Sequence, residues 1–227
     1  MYTLFIVIQF VGIAILFAEA VYFINQRPSR QQIRLLLLMA ALLVNFVGYL
    51  FEMQADTPQE AMMAVKFSYL GKPFIVLTMF LFAMECCKVR LPKWLPGILR
   101  WFHIAVTFLV ITSDSHRLYY SSIEYTREGF FPHLVLGHGP VYLVYHGLLT
   151  LYAVTMAGVC AYRYFHVGSD RERRRMVAFF MIITVVLVGW IGYLRNWMGG
   201  YDCTLLSYLI SILILSVYLH RDKILET

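Results

Sequence analysis

Charge is scarce in this chain. Asp, Glu, Lys and Arg make up 14% of its 227 residues, while 60% are hydrophobic and the mean hydropathy is +0.69. Soluble domains carry roughly 45–50% apolar and 25% charged residues, so this sequence holds more apolar surface than a soluble core could hide. Cysteine is sparse too. Of Cys86, Cys87, Cys160 and Cys203, only Cys203 falls on the expected outer side, which excludes a disulfide framework within the chain. Cys86 and Cys87 lack the second pair that a metal-ligand spacing needs, and packing is favoured over lipidation for them. The N-terminus lacks the basic residues of a leader peptide. Ala18-Glu19-Ala20 has the form of a cleavage site, but the apolar run continues through Val21-Tyr22-Phe23-Ile24. No internal repeat, low-complexity tract, His-Glu-x-x-His motif or nucleophile–base pair is present. The chain is therefore not expected to be an enzyme, and no catalytic residue, metal or cofactor is assigned.

What is abundant is apolar length. A helix needs about 20 mainly apolar residues to cross about 30 Å of hydrocarbon. Seven runs qualify, at about residues 2–25, 33–53, 60–87, 94–112, 140–165, 176–195 and 203–220. The basic residues alternate between the linkers. Arg27, Arg30 and Arg34 follow the first run, and Lys88, Arg90, Lys93 and Arg100 follow the third. Arg163, Arg171, Arg173, Arg174 and Arg175 follow the fifth, and Arg221 and Lys223 follow the seventh. Those regions hold 14 of the 19 Lys and Arg residues. Short loops rich in Lys and Arg stay in the cytoplasm. The expected fold is an all-α membrane protein, a seven-transmembrane helix bundle with its N-terminus outside and its C-terminus cytoplasmic. The net charge of +6 is then explained by anionic lipid, and no nucleic-acid partner is implied. Residues 1–220 form the membrane domain, and residues 221–227 begin a cytoplasmic linker helix.

The longest linker, 113–139, lies on the expected outer side. Leu118 to Tyr125 and Phe130 to Leu136 are β-prone runs flanking Thr126-Arg127-Glu128-Gly129, which predicts a β-hairpin between the fourth and fifth spans. The linker also carries Asp114, His116, His133 and His138, with His146 just inside the fifth span. Their spacing matches no metal signature.

The third run is unusual. Only twelve uncharged residues separate Lys72 from Glu85, which rise about 18 Å, so Lys66 belongs near the outer boundary and Lys72 about 9 Å deeper. A lysine at that depth is costly unless it pairs or faces water, and at about 100° per residue Lys66, Tyr69 and Lys72 share one broad face. Pro73 cannot donate to the Tyr69 carbonyl, which predicts a kink. Asn45 and Glu52 lie at matching levels on the second span, with Trp190, Tyr193 and Arg195 on the sixth and Asp202 opening the seventh. The candidate ligand-binding set is Asn45, Glu52, Lys66, Tyr69, Lys72, Trp190, Arg195 and Asp202, with His116 and Tyr119 from the outer loop. Pairs Lys66–Glu52 and Arg195–Asp202 that merely fix helix ends are the alternative. Glu19 and Glu85, towards the inner face, are read as packing or interfacial residues.

Several motifs carry a resemblance. They are Lys66-Phe67-Ser68-Tyr69-Leu70-Gly71-Lys72-Pro73-Phe74, and Phe80-Leu81-Phe82-Ala83-Met84-Glu85-Cys86-Cys87. Further along come Asp114-Ser115-His116-Arg117-Leu118-Tyr119-Tyr120, then Gly139-Pro140-Val141-Tyr142, and finally Tyr201-Asp202-Cys203-Thr204. In order and spacing the chain resembles the N-terminal seven-transmembrane region of histidine kinases over nearly its whole length. The resemblance implies a bacterial sensory input module in the cell inner (plasma) membrane, of the kind that precedes a histidine kinase or diguanylate cyclase output domain. With the sequence stopping at Thr227, output is expected from a partner protein or from a longer polypeptide. A small ligand, anionic if Lys66, Lys72 and Arg195 face it, is expected on the outer side, and a homodimer is compatible with this reading. A small transporter or channel, and a non-catalytic membrane scaffold subunit, are the competing readings. Only the third run looks interrupted, against the paired interruptions of repeat transporters. Pro58-Gln59, a dipeptide of small carriers, occurs once. The seventh run lacks the lysine that a retinal protein needs.

Overall fold

The computed structural model describes residues 2–25, 30–199 and 201–222. Arg27 and the tail from Lys223 to Thr227, with most of the expected linker helix, lie outside the described residues.

Eight α-helices account for the apolar runs. They are α1 (Tyr2–Ile24), α2 (Arg30–Met53), α3 (Pro58–Ser68), α4 (Lys72–Cys86), α5 (Leu95–Ile111), α6 (Pro140–His166), α7 (Asp170–Leu194) and α8 (Cys203–Asp222). Five segments are long and apolar enough to cross a membrane: Tyr2–Ile24, Gln32–Met53, Pro58–Cys86, Pro140–His166 and Asp170–Leu194. Leu95–Ile111 and Cys203–Tyr218 are shorter apolar helices. Large apolar side chains such as Phe17, Leu37, Trp101, Phe108, Val154 and Phe165 point away from the bundle and are exposed. An apolar surface of that extent suits lipid rather than water.

Neighbouring helices pack in the sequence α1, α2, α4, α6, α7, α8, and α8 returns to α1. The fifth helix lies against α4. The main core fills this ring, with Phe46, Phe82, Leu42, Met84 and Met156 almost wholly buried.

The kink expected at Pro73 is a full break. The α3 helix ends at Ser68 and α4 begins at Lys72. Proline at the second position of α4 needs no hydrogen-bond acceptor, which suits a helix start, and the preceding turn closes with short-range bonds from Leu70 to Phe67 (3.0 Å) and Gly71 to Ser68 (3.1 Å). The Tyr69 carbonyl that Pro73 cannot serve lies 3.2 Å from the Thr107 hydroxyl on α5. That hydroxyl is also 3.1 Å from the His103 carbonyl, so its one proton is shared between them. Glycine lets α2 cross the break at backbone contact. A Cβ on Gly48 would sit 2.7 Å from the Ser68 Cα, and one on Gly71 would strike the Ala41 carbonyl oxygen.

After α5 comes a short 3-10 turn, Ser113–Ser115, then strands β1 (Tyr120–Thr126) and β2 (His133–His138). They pair antiparallel, from Thr126 opposite His133 to Tyr120 opposite His138, with an irregularity between Tyr120 and Ile123. The hairpin is tied to the α2–α3 corner. The Tyr125 hydroxyl donates to the Ala55 carbonyl (3.0 Å) and Arg127 donates to the Asp56 carbonyl (3.1 Å). A second core of Met62, Val65, Tyr69, Val106, Tyr119 and Tyr145 lies beneath it.

The opposite, arginine-rich end is cross-linked by charge. Arg34 pairs with Glu85 (3.0 Å) and Lys88 with Glu172 (2.7 Å). Glu19 accepts a hydrogen bond from Ser216. Both glutamates are thus engaged in helix packing.

Gly71→Ala should destabilise the protein by about 1–3 kcal/mol, the usual effect of overpacking. Gly147→Ala in α6, where nothing lies within 4 Å of the new Cβ, should be neutral or slightly stabilising. Thermal unfolding midpoints of the two variants in one detergent check the contrast.

Candidate functional site

Beneath the hairpin lies a cavity of about 100 Å³. It is walled by α2, the α3–α4 break, α6, α7 and the start of α8, and roofed by Tyr120, Leu134, Leu136 and His138 of the hairpin. Six of the ten candidate residues line it: Asn45, Glu52, Tyr69, Lys72, Trp190 and Asp202.

Lys72 is the centre of its electrostatics. Its Nζ lies 3.0 Å from Asp202 Oδ2. Asp202 is 5% exposed, and its other oxygen accepts from the Thr204 backbone N–H (2.9 Å) and hydroxyl (2.5 Å). Asp202 therefore caps the first turn of α8 while neutralising a lysine from α4. The Asp202 backbone N–H donates to the Tyr49 hydroxyl at 2.7 Å. The same Lys72 Nζ stands 5.7 Å from the Tyr69 ring centroid and 5.9 Å from that of Tyr193, within cation–π range. Next to Asp202, Tyr201 stacks on Phe5 (4.1 Å between ring centroids) and accepts from Gln9 (2.7 Å). The α7–α8 connection is thereby fixed to α1.

Glu52 is 9% exposed and makes no ion pair among the described residues. Two residues of the lining also carry buried donors without partners. Asn45 is 2% exposed and its Nδ2 is buried and unbonded, as is the indole N–H of Trp190. Buried donors left unsatisfied cost about 1–3 kcal/mol each.

Four candidates lie elsewhere. Lys66 pairs with Asp114 rather than with Glu52. The expectation that Lys66 and Lys72 share a face assumed a continuous helix, and the break resets the helical phase. Arg195 is exposed at the C-terminal end of α7 and does not line the cavity, so Asp202 pairs with Lys72 instead. His116 folds back on its own loop, 3.0 Å from the Thr112 hydroxyl. Tyr119 stands one layer behind the wall, its hydroxyl 3.2 Å from that of Tyr69. Burial raises the Tyr119 and Tyr120 phenols above their ordinary range, so both remain neutral at physiological pH.

A column of stacked rings on one wall went unread in the sequence. His138 stacks on Tyr142 (4.0 Å), Tyr142 on His146 (3.8 Å), and His146 faces Trp190 (6.1 Å). The signal is the spacing of four from Tyr142 to His146, which places those two rings above one another on α6, while His138 joins the column from the end of β2. Tyr49, Tyr145 and Tyr208 also line the cavity and were not singled out.

Over residues 6–227 the chain matches the family described as the N-terminal 7TM region of histidine kinase. The chain belongs to this family. No curated protein matches it. As a histidine kinase 7TM region it is a membrane-embedded sensory input module, in a family whose catalytic domain is separate.

Removing Lys72 strands a buried carboxylate. Breaking a buried pair costs about 3–5 kcal/mol, and because the Lys72 side chain is 30% exposed, Lys72→Met should cost about 1–3 kcal/mol. Asp202→Asn in the same chain should recover part of that loss. Thermal midpoints of the single and double variants measure the coupling.

Proposed function

We propose that this 7TM region crosses the inner (plasma) membrane seven times, with the hairpin end outside and the arginine-rich end in the cytoplasm. A small ligand binds in the cavity beneath the hairpin, and its signal passes along α8 to a cytoplasmic output domain or partner, in a monomer or a homodimer. The observation that carries this reading is the convergence of the Lys72–Asp202 pair with the unbonded donors of Asn45 and Trp190 on one enclosed space. The alternation of basic linkers supports the orientation.

The ligand class differs from the sequence expectation. An anion would need uncompensated cations. Lys66 and Arg195 are outside the cavity, Lys72 is already paired, and two carboxylates line the walls. A neutral or zwitterionic polar molecule with hydrogen-bond acceptors fits better than an anion. Its coupling follows from Lys72–Asp202, which joins α4 to the first turn of α8. A ligand that competes for either partner changes the relative stability of two packings of α8. It shifts their populations only by its difference in affinity for them.

The test is a thermal-shift screen of polar metabolites against the protein in lipid nanodiscs. A compound that stabilises the wild type should lose at least about tenfold in affinity, or 1.4 kcal/mol, on Asn45→Ala, while the midpoint without ligand changes little. Equal binding by Asn45→Ala removes the cavity assignment. Uptake of the same compound into proteoliposomes would favour the transporter reading.

A further inference from the structure

At the arginine-rich end, far from the cavity, the Cys87 sulfur has a sulfur from each of two other helices beside it. Cys87 follows the last turn of α4, Cys160 lies on α6 and Met176 on α7. Cys87 Sγ is 4.0 Å from Cys160 Sγ and 3.6 Å from Met176 Sδ. The three residues are 2%, 1% and 3% exposed. In the sequence the adjacent Cys86 and Cys87 lacked a second half-site, and the fold supplies one from two other helices.

The distances discriminate between two kinds of chemistry. A disulfide needs sulfurs about 2.05 Å apart, so Cys87 and Cys160 would have to close by about 2 Å, and Met176 would have no part in it. A metal ion at the centre of three sulfurs, with bonds of about 2.3 Å, holds them about 4 Å apart. The 4.0 Å separation meets that value and the 3.6 Å separation falls a few tenths short.

The donor set also selects the ion. Two thiols and a thioether are soft ligands, which favour Cu(I). Zinc calls for four N, S or O donors, and among the described residues no three His, Cys, Asp or Glu side chains converge. A recess of about 10 Å³, lined by Cys87, Lys88, Arg163, Glu172 and Met176 among others, reaches two of the three sulfur residues, Cys87 and Met176. That is room for about one small guest. Arg163 and Arg175 anchor nearby, donating to the Lys88 carbonyl (3.4 Å) and the Cys86 carbonyl (3.5 Å).

We propose that Cys87, Cys160 and Met176 form a trigonal, all-sulfur site for Cu(I). On binding, the two thiols release their protons to solvent and Met176 donates a sulfur lone pair. No electron is transferred. The centre then carries one net negative charge, which Arg163 and Arg175 offset. Occupancy ties α4, α6 and α7 together at the arginine-rich end and is independent of the ligand cavity.

The test uses the reduced full chain in detergent without oxygen, titrated with Cu(I) against a chromophoric Cu(I) chelator. One Cu(I) per chain is expected, with an X-ray absorption spectrum showing a shell of three sulfurs at about 2.3 Å. Changes around metal ligands cost roughly 10–100-fold in affinity, so Cys87→Ser and Cys160→Ser should each lose about 100-fold or more. Met176→Leu, a near-isosteric swap, should lose about tenfold. Cys203→Ser should bind as the wild type does. Absence of Cu(I) binding overturns the proposal, as does binding that survives Cys87→Ser or Cys160→Ser. A two-sulfur shell, or unchanged affinity in Met176→Leu, overturns the trigonal site. The absorption spectrum of the wild type decides even where a serine variant folds poorly. If the reduced protein takes up no Cu(I) and air yields a Cys87–Cys160 disulfide, the cluster is a redox pair and the metal assignment falls.

Discussion

Lys72 reaches Asp202 because the third apolar segment is two helices rather than one. Pro73 withholds the N–H that would continue α3, and the chain between Ser68 and Lys72 turns before α4 begins. The new helix starts with Lys72, whose ammonium meets Asp202 at the first turn of α8. The ion pair that results joins two elements that do not otherwise pack closely. It also holds the cation–π contacts to Tyr69 and Tyr193 and orients the carboxylate that caps α8. The cavity is the space left between the break, the stacked rings of α6 and the polar face of α2.

Much of the architecture was legible in the sequence, for reasons of different strength. Apolar length and the alternation of basic linkers are one-dimensional signals, and they located the apolar segments to within a few residues. The two strands were legible because β-prone runs flank a turn containing Gly129, which adopts a φ of +94° that few other residues tolerate. Height along the helices was legible as well: the fixed rise per residue puts Asn45 about 10 Å from Glu52 on α2, and both line one cavity with Lys72, Trp190 and Asp202. Azimuth was not. Lys66 and Lys72 were placed on one face by counting through a helix that breaks between them. The alternative pairs Lys66–Glu52 and Arg195–Asp202 do not form, because Lys66 pairs with Asp114 and Asp202 with Lys72. Arg195 lay at the right depth, but the end of α7 turns it outward.

Two other features were invisible for a different reason. The ring column from His138 to Trp190 needs α6 and α7 to be neighbours, and the sulfur cluster needs α4, α6 and α7 together. The α6–α7 contact follows from a short linker, but α4 and α6 meet although α5 lies between them in the sequence. The polar cavity and the sulfur cluster occupy opposite ends of α4, which passes between them beside α2, α5 and α6.

The crossing of α2 over the break has a mechanical meaning. Helices normally meet through interdigitated side chains, which can change rotamer and absorb a small displacement. At Gly48 against Ser68, and at Gly71 against Ala41, that cushion is absent, and main chain rests on main chain. The elbow between α3 and α4 cannot slide over α2 without lifting off it. In the signalling proposed above, they would serve as a fulcrum, and a push on Lys72 would pass on as rotation of a rigid arm rather than be lost in the packing.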